Sequence, residues 1–232
     1  MKSIRYTILA AGLIVLGSSG AQAAEANTAA DQSLYAGFGA FGASVGYEQR
    51  FGDFLGRHWG TRLLFNTGTM RHDSGHGDLS GNRYDLRLKT GGGISSLFDY
   101  YPCLDSGWRV TGGVILSRIK TDLSGKPDGQ GNYSLNDRVY SAAQVGTLTG
   151  QMKYDPALIY LGGGWESTPA GAKGWRFVSD AGVFVTGKAK TTLTATNAAN
   201  DPALQADLNA ESGQLGKRGL GVMVQLGAAY AF

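Results

Sequence analysis

Two groups of side chains in this chain have types and spacings that could support chemistry. The first is a glycine-rich segment in which His72 and His76 flank Ser74, with Asp73 and Asp78 beside them. Imidazole and carboxylate groups bind metals, and a serine beside a histidine is one requirement of a hydrolase site. No helical pattern holds the two histidines on one face, which favours a solvated loop. We therefore predict no metal site, no cofactor and no enzymatic activity.

The second group consists of polar side chains that alternate with apolar ones. For example, Asp85 and Arg87 alternate with Tyr84 and Leu86, and residues two apart share one face of a β-strand. A charge that faces lipid at mid-bilayer costs about 2–4 kcal/mol, so the charged face of a membrane strand belongs inside. The predicted lumen-lining residues are Glu48, Arg50, Arg62, Asp85, Arg87, Lys89, Asp99, Arg109, Lys153, Asp180, Lys188 and Gln225.

Both signs of charge occur in this predicted interior, and two functions are compatible with it. In one, Arg62, Arg87 and Arg109 pair with the acidic residues in a closed network that rigidifies the protein. In the other, the same side chains line a narrow passage for small polar or zwitterionic solutes. The acidic partners expected for the three arginines are Glu48, Asp85, Asp99 and Asp180.

The alternating segments predict an all-β fold, an eight-stranded antiparallel transmembrane β-barrel of up-and-down topology. In seven segments apolar and polar residues alternate clearly. The connections between the segments are alternately short and long, and the long external loops lie near 71–83, 124–146 and 195–217. Because such barrels have an even number of strands, the first segment must form two strands joined by a tight turn at 40–42. The predicted strands are 34–39, 43–51, 60–70, 84–101, 108–123, 147–165, 175–194 and 218–232.

The beginning of the chain resembles a cleavable export signal. Lys2 and Arg5 precede a brief apolar stretch at 7–16, and small residues end the segment at Ala23. We expect cleavage after Ala23, a lead-in at 24–33 and the barrel at 34–232, in the outer membrane of a Gram-negative cell. The mature chain would be nearly neutral, and we predict no nucleic-acid partner. Cys103 is the only cysteine, so no intramolecular disulfide can form.

Aromatic residues cluster beside the short connections of the predicted barrel. Tryptophan and tyrosine favour the membrane interface because they join an apolar ring to a polar group. We therefore predict an aromatic girdle on the periplasmic side. Its members are Trp59, Tyr100, Trp108, Trp165, Trp175 and Phe232.

Short motifs along the chain resemble a family of small eight-stranded proteobacterial outer-membrane barrels, which includes the carbapenem-susceptibility or ornithine-uptake porin. The motifs are Y-D-L-R-L-K at 84–89, F-D-Y-Y-P at 98–102, G-W-R-V-T-G-G at 107–113, V-G-T-L-T-G at 145–150, Y-L-G-G-G-W at 160–165 and S-D-A-G-V at 179–183. The resemblance implies a monomeric barrel with passage of small basic amino acids.

The last residues also match the signal that the barrel-assembly machinery recognises in outer-membrane proteins. In this chain the signal consists of Gln225, Gly227, Tyr230 and Phe232. The partners that follow from this resemblance are outer-membrane lipid, the barrel-assembly machinery and periplasmic chaperones.

Overall fold

The computed structural model of the protein describes residues 32–54, 57–69, 75–79, 82–103, 106–168, 173–216 and 218–232. The predicted export signal and most of the predicted lead-in lie outside these ranges. The strands are β1 (Gln32–Gly39), β2 (Gly42–Phe54), β3 (Arg57–Asn66), β4 (Gly75–Leu79), β5 (Asn82–Tyr101), β6 (Trp108–Lys126), β7 (Asn132–Leu135), β8 (Arg138–Ser141), β9 (Leu148–Tyr154), β10 (Ala157–Glu166), β11 (Gly174–Ala195) and β12 (Arg218–Ala231). The α-helices are α1 (Ala142–Val145) and α2 (Pro202–Gln214).

Eight of the strands close into one antiparallel ring. Its order is β1–β2–β3–β5–β6–β10–β11–β12, and β12 pairs again with β1. Neighbours in the ring are successive wall strands of the chain, which is up-and-down topology. The predicted eight-stranded barrel is thus confirmed. Within the described ring, each wall strand has a partner on both sides, which closes the barrel.

The first wall segment folds as two strands, as the even strand number requires. β1 ends at Gly39 and β2 begins at Gly42, so the turn consists of Ala40 and Phe41. Gly42 has a φ of +85°, and a Cβ atom there would lie 2.2 Å from the carbonyl oxygen of Gly68. Only glycine satisfies both the left-handed backbone and this close approach.

The predicted strand 147–165 forms one wall position in two pieces. β10 pairs with β6 and β11 in one half of the barrel, and β9 pairs with the same two strands in the other half. Asp155 and Pro156 separate the two pieces. Proline has no backbone N–H and cannot donate to a ladder, which explains why the strand breaks there.

Two register shifts change which residues face the interior. One lies in β5 between Thr90 and Gly93, and the other in β11 between Val185 and Lys188. An extra residue in one strand inverts the alternation of every residue beyond it. On β11, even-numbered residues are buried up to Thr186, whereas Ala189 and Leu193 are buried beyond the shift.

The tryptophans all lie at one end of the barrel, which we call the aromatic end, and the other end is the capped end. The long connections at the capped end contain secondary structure of their own. β4 extends the sheet beside β5, β7 and β8 form a hairpin, and α2 follows a 3-10 turn at Ala198–Asn200. These elements bury an apolar cluster that includes Tyr84, Leu123, Leu135, Leu148, Leu193, Leu204 and Leu208.

The helix α2 begins at residues that are typical of a helix start. The Asp201 side chain accepts hydrogen bonds from the backbone N–H groups of Ala203 and Leu204, at 3.0 and 3.1 Å, and Pro202 occupies the first helical position. Asp201 is therefore a capping residue. Leu204 and Leu208 are fully buried in the capped-end cluster, which fixes the helix over the barrel. No helix among the described residues is long and apolar enough to cross a membrane.

Asp207 joins α2 to the β7–β8 hairpin. Its carboxylate accepts hydrogen bonds from the Tyr140 hydroxyl at 2.5 Å and the Asn136 side-chain amide at 3.0 Å. The bond from Tyr140, and then the bond from Asn136, lower the pKa of the Asp207 carboxyl. A carboxyl whose pKa falls on folding stabilises the folded state above its unfolded pKa of about 3.9, and this contribution is lost as the pH drops through the folded value.

We expect hydrogen-exchange protection of the α2 amides, corrected for intrinsic exchange, to be constant above about pH 5 and to weaken below about pH 4. The matched control is Asp207→Asn, which keeps the shape of the side chain and removes the titration. At neutral pH the α2 amides of Asp207→Asn should be less protected than those of the unmodified protein, and their protection should not change between about pH 5 and about pH 4. An unchanged pH dependence in Asp207→Asn would show that another group is responsible.

Candidate functional site

Among the residues that the structure describes, the interior at the aromatic end contains four arginines and four carboxylates. All eight side chains are buried, and they come from six strands of the ring, β2, β3, β5, β6, β10 and β11. Each charged residue occupies an inward position of its strand, so the side chains converge inside the barrel. The members of this charge network are Arg50, Arg62, Arg109, Arg176, Glu48, Asp99, Glu166 and Asp180.

Arg62 is the centre of the charge network. Its guanidinium donates to both carboxylate oxygens of Asp99, at 2.6 and 2.9 Å, and to both of Asp180, at 2.9 and 3.0 Å. It also donates to Thr111, whose hydroxyl donates to Asp99 at 2.5 Å. Two bidentate carboxylates use the planar fork of arginine fully, which lysine could not do.

Arg109 connects this centre to a second carboxylate group. Its guanidinium donates to Asp180 at 2.9 Å and to Glu166. Glu166 in turn accepts from Arg50 and from the Tyr101 hydroxyl, at 3.2 Å in the latter case. The Arg50 guanidinium also lies 4.9 Å from the centre of the Tyr101 ring, a cation–π distance.

Arg176 completes the charge network beside β1 and β2. It donates to Glu48 at 2.6 Å and to the Ser33 hydroxyl at 2.7 Å, and its Nε lies 2.8 Å from Glu166. With four positive and four negative groups, the formal charge of the network is zero. Burying single charges is very costly, but a paired and hydrogen-bonded set with no net charge avoids most of this penalty.

Gly164 leaves space for the charge network. A Cβ atom at this position would lie 2.7 Å from Arg109 Nε and 2.7 Å from Asp180 Oδ1. Both contacts are too short, so a larger residue would separate the Arg109 and Asp180 side chains. At this glycine of the 162–164 run, the space is filled by the protein itself, not left for a solute.

Apolar side chains fill the barrel beyond the charge network. Leu64, Leu97, Ile115 and Leu158 project from four strands and have almost no exposed surface. Phe41 and Phe184 lie farther toward the capped end, with their ring centroids 5.4 Å apart and the rings tilted by 55°. Eight strands enclose a space that side chains can fill completely. The described interior therefore consists of a charged layer, a mainly apolar layer that also holds hydrogen-bonded polar side chains such as Asn66 and Ser95, and the capped-end cluster.

The fold is similar to the crystal structures of two other proteins. For CarO of Acinetobacter baumannii the TM-score is 0.53 with 20% identity, covering 86% of this chain and 97% of that chain. For CarO2 of the same organism the TM-score is 0.57 with 17% identity, covering 87% of this chain and 98% of that chain. The barrel has the CarO fold. The structural match supports the resemblance found in the sequence motifs, whereas no protein-family model and no curated protein sequence matches the chain.

Seven of the predicted lumen-lining residues have their side chains inside this CarO-like barrel. Six belong to the charge network, and Gln225 donates to the Tyr35 hydroxyl at 2.9 Å and the Ser44 hydroxyl at 2.7 Å. The seven are Glu48, Arg50, Arg62, Asp99, Arg109, Asp180 and Gln225.

The structure places the other five predicted residues on the outside, which corrects the prediction. Asp85, Arg87 and Lys89 precede the β5 register shift, and Lys188 follows the β11 shift, so the alternation is inverted at all four. Lys153 lies on β9, where the neighbouring Met152 is the buried residue. Arg87 therefore contributes nothing to the interior, and Asp85 pairs outside with Lys126 at 2.9 Å.

Two members of the charge network, Glu166 and Arg176, are absent from the predicted set. Each follows directly after a tryptophan that faces outward, Trp165 and Trp175. Because strand residues alternate, the residue after an outward tryptophan must face inward. The sequence therefore contained the signal for both residues.

The predicted girdle residues face outward around the aromatic end. Trp59 packs on Tyr100 with ring centroids 5.0 Å apart, and Trp108 is the cross-strand partner of Trp165. Trp175 meets Tyr230 edge to face at 5.2 Å. Phe232, directly after β12, is half exposed. Of the predicted assembly signal, Tyr230 and Phe232 face outward, whereas Gln225 faces inward.

His72 and Ser74 lie outside the described residues, and only the backbone of His76 is described, as part of β4. In the part of the chain that the structure describes, no group of three or more His, Cys, Asp or Glu side chains has the arrangement of a metal site. Cys103 is exposed near the aromatic end.

Proposed function

We propose that the protein is an outer-membrane barrel with a sealed interior that acts through its wall and capped end and does not form an open pore. The observation that carries this proposal is the charge network. Its eight buried side chains pair with one another, have no net charge and occupy the barrel interior at the aromatic end. The buried apolar layer and the capped-end cluster support it, because their side chains fill the described interior beyond the charge network.

The outer surface supports a position across the membrane. On β6, outward residues are apolar from Trp108 to Leu116 and become basic at Arg118 and Lys120. Strand residues rise about 3.4 Å each, so with the usual tilt this apolar stretch covers about 20 Å, close to the apolar band of outer-membrane barrels. The aromatic end would then face the periplasm and the capped end the outside.

Biogenesis follows from the same proposal. A signal cleaved after Ala23 would direct export, periplasmic chaperones would protect the chain, and the barrel-assembly machinery would insert it through the final strand as a monomer. Lipid of the outer membrane would surround the apolar wall. A sealed barrel of this kind stabilises or presents the capped end at the cell surface, which makes surface interaction the proposed activity.

The alternative from the sequence, a narrow porin-like channel for small polar or zwitterionic solutes, makes a different prediction in planar lipid bilayers. For the sealed barrel we expect no discrete conductance steps from folded protein, nor from the control Lys126→Gln on the outside. Conductance steps whose size changes in Arg109→Ala or Asp180→Asn would contradict the sealed barrel and favour passage. Heat-modifiable migration on gels verifies that each sample is folded.

A further inference from the structure

Four lysines form a continuous row across the outer surface of the barrel. Lys89 on β5 is the cross-strand partner of Lys120 on β6, Lys120 is the partner of Lys153 on β9, and Lys153 is the partner of Lys190 on β11. All four side chains are exposed. We call this set the lysine row.

The lysine row begins where the apolar wall ends. On β6, Leu116 is the last apolar residue facing outward, followed on the same face by Arg118. On β11 the apolar wall ends at Val185, and Lys188 beyond the register shift is the partner of Arg218 on β12. Basic residues thus lie between the apolar wall and the row on β6, β11 and β12.

Folding alone does not account for the lysine row. Like charges directly opposite each other in a sheet are destabilising, and the row contains three such pairs. Asp122 pairs with Lys89 at 2.6 Å, and the exposed Asp155 lies two residues after Lys153. Among the residues that the structure describes, none forms an ion pair or hydrogen bond with the other three lysine side chains of the row. Asp122 also attracts Lys120 electrostatically without forming an ion pair with it, so most of the positive charge of the row is available to an external anion.

We propose that the lysine row binds the phosphate groups of lipid headgroups in the leaflet at the capped end. This inference rests on the proposed membrane position, which puts the end of the apolar wall at headgroup level. Neighbouring strands are about 4.8 Å apart, so two flexible lysines can share one phosphate, and the row of four spans about 14 Å. That length suits a headgroup with more than one phosphate.

The test compares lipid binding to the mature protein in dodecyl maltoside by native mass spectrometry. The probe is lipid A, a disaccharide lipid with two phosphates, beside its dephosphorylated form. Lys120→Gln combined with Lys153→Gln removes the middle of the row. The matched control, Lys126→Gln with Lys173→Gln, makes the same charge change elsewhere.

We expect the Lys120/Lys153 double variant to bind lipid A about 25-fold more weakly, because each lysine at an anionic lipid surface contributes about fivefold. The control should stay within about twofold of the unmodified protein, as should binding of the dephosphorylated lipid by all variants. Equal binding of lipid A by both double variants would overturn the proposal. Displacement of lipid A by the same concentration of inorganic pyrophosphate would also overturn it, because the site would then accept free phosphate.

Thermal unfolding in lipid-free detergent separates this role from a structural one. Removal of like-charge repulsion should leave the midpoint of the Lys120/Lys153 double variant unchanged or raised. A clearly lowered midpoint would mean that the lysines stabilise the fold itself, against the proposal. Binding is measured in micelles, so it does not depend on the conductance result that tests the sealed barrel.

Discussion

Replacement of Arg62 by methionine is expected to lower the free energy of unfolding by about 3–5 kcal/mol. Methionine keeps most of the length of the side chain but leaves Asp99 and Asp180 without their bidentate partner in the barrel interior. Removing one member of a buried ion pair is much more damaging than never having the pair, because the remaining charge cannot return to water. Urea unfolding in phosphatidylcholine vesicles measures the loss.

Two further variants make the Arg62 experiment specific. Arg118→Met removes an exposed arginine from the outside of β6, where the loss should be less than about 1 kcal/mol. Arg62→Met combined with Asp99→Asn restores charge balance and should recover part of the stability. If Arg62→Met lowers the free energy of unfolding by no more than Arg118→Met does, the charge network does not stabilise the barrel.

Replacement of Leu161 by arginine is expected to destabilise the protein by about 2–4 kcal/mol in a bilayer. Leu161 faces outward in the middle of β10, with 62% of its surface exposed, so the change disturbs no interior contact. A guanidinium at mid-bilayer loses its hydration, and the penalty therefore comes from lipid alone. Unfolding in vesicles gives the value.

The control for Leu161→Arg is Val139→Arg, an exposed apolar residue on β8 at the capped end. Outside the membrane this change should cost less than about 0.5 kcal/mol. Equal effects of the two substitutions in vesicles would place Leu161 in water, and the membrane position would be wrong.

The wall of the barrel was predictable because period-2 alternation is a local property. It identified seven wall segments, the even strand number divided the first into two, and on β2, β3 and β6 the alternation gave the correct inward charges, including Arg62 and Arg109. On β5 and β11 it was right for Asp99 and Asp180 but gave wrong faces on the capped-end side of each register shift, since a shift inverts the alternation between its two sides. The glycines at 91–93 and Gly187 lie at these shifts, but glycine has several structural uses and does not identify a bulge by itself.

The capped end was only partly predictable. The helix α2 has local start signals in Asp201 and Pro202, but these alone are equally compatible with a surface loop. The β7–β8 hairpin has strands of four residues, too short for a recognisable alternation, and it depends on contacts with distant parts of the chain. Its turn residue Asn136 hydrogen-bonds α2, which lies far along the chain. Likewise, the pairing among the inward charges depends on which strands are neighbours in the closed ring.

The sealed interior can be tested most directly by the reactivity of a cysteine at position 111. Thr111 is fully buried against Arg62, and the exposed Cys103 is first replaced by serine so that a single thiol is present. In vesicles, Thr111→Cys should resist a small charged methanethiosulfonate reagent until the protein is unfolded, whereas Ser124→Cys, on the exposed face near the capped end, should react at once. Rapid modification of Cys at position 111 in the folded protein would show that water and solutes reach the charge network, and would contradict the sealed barrel.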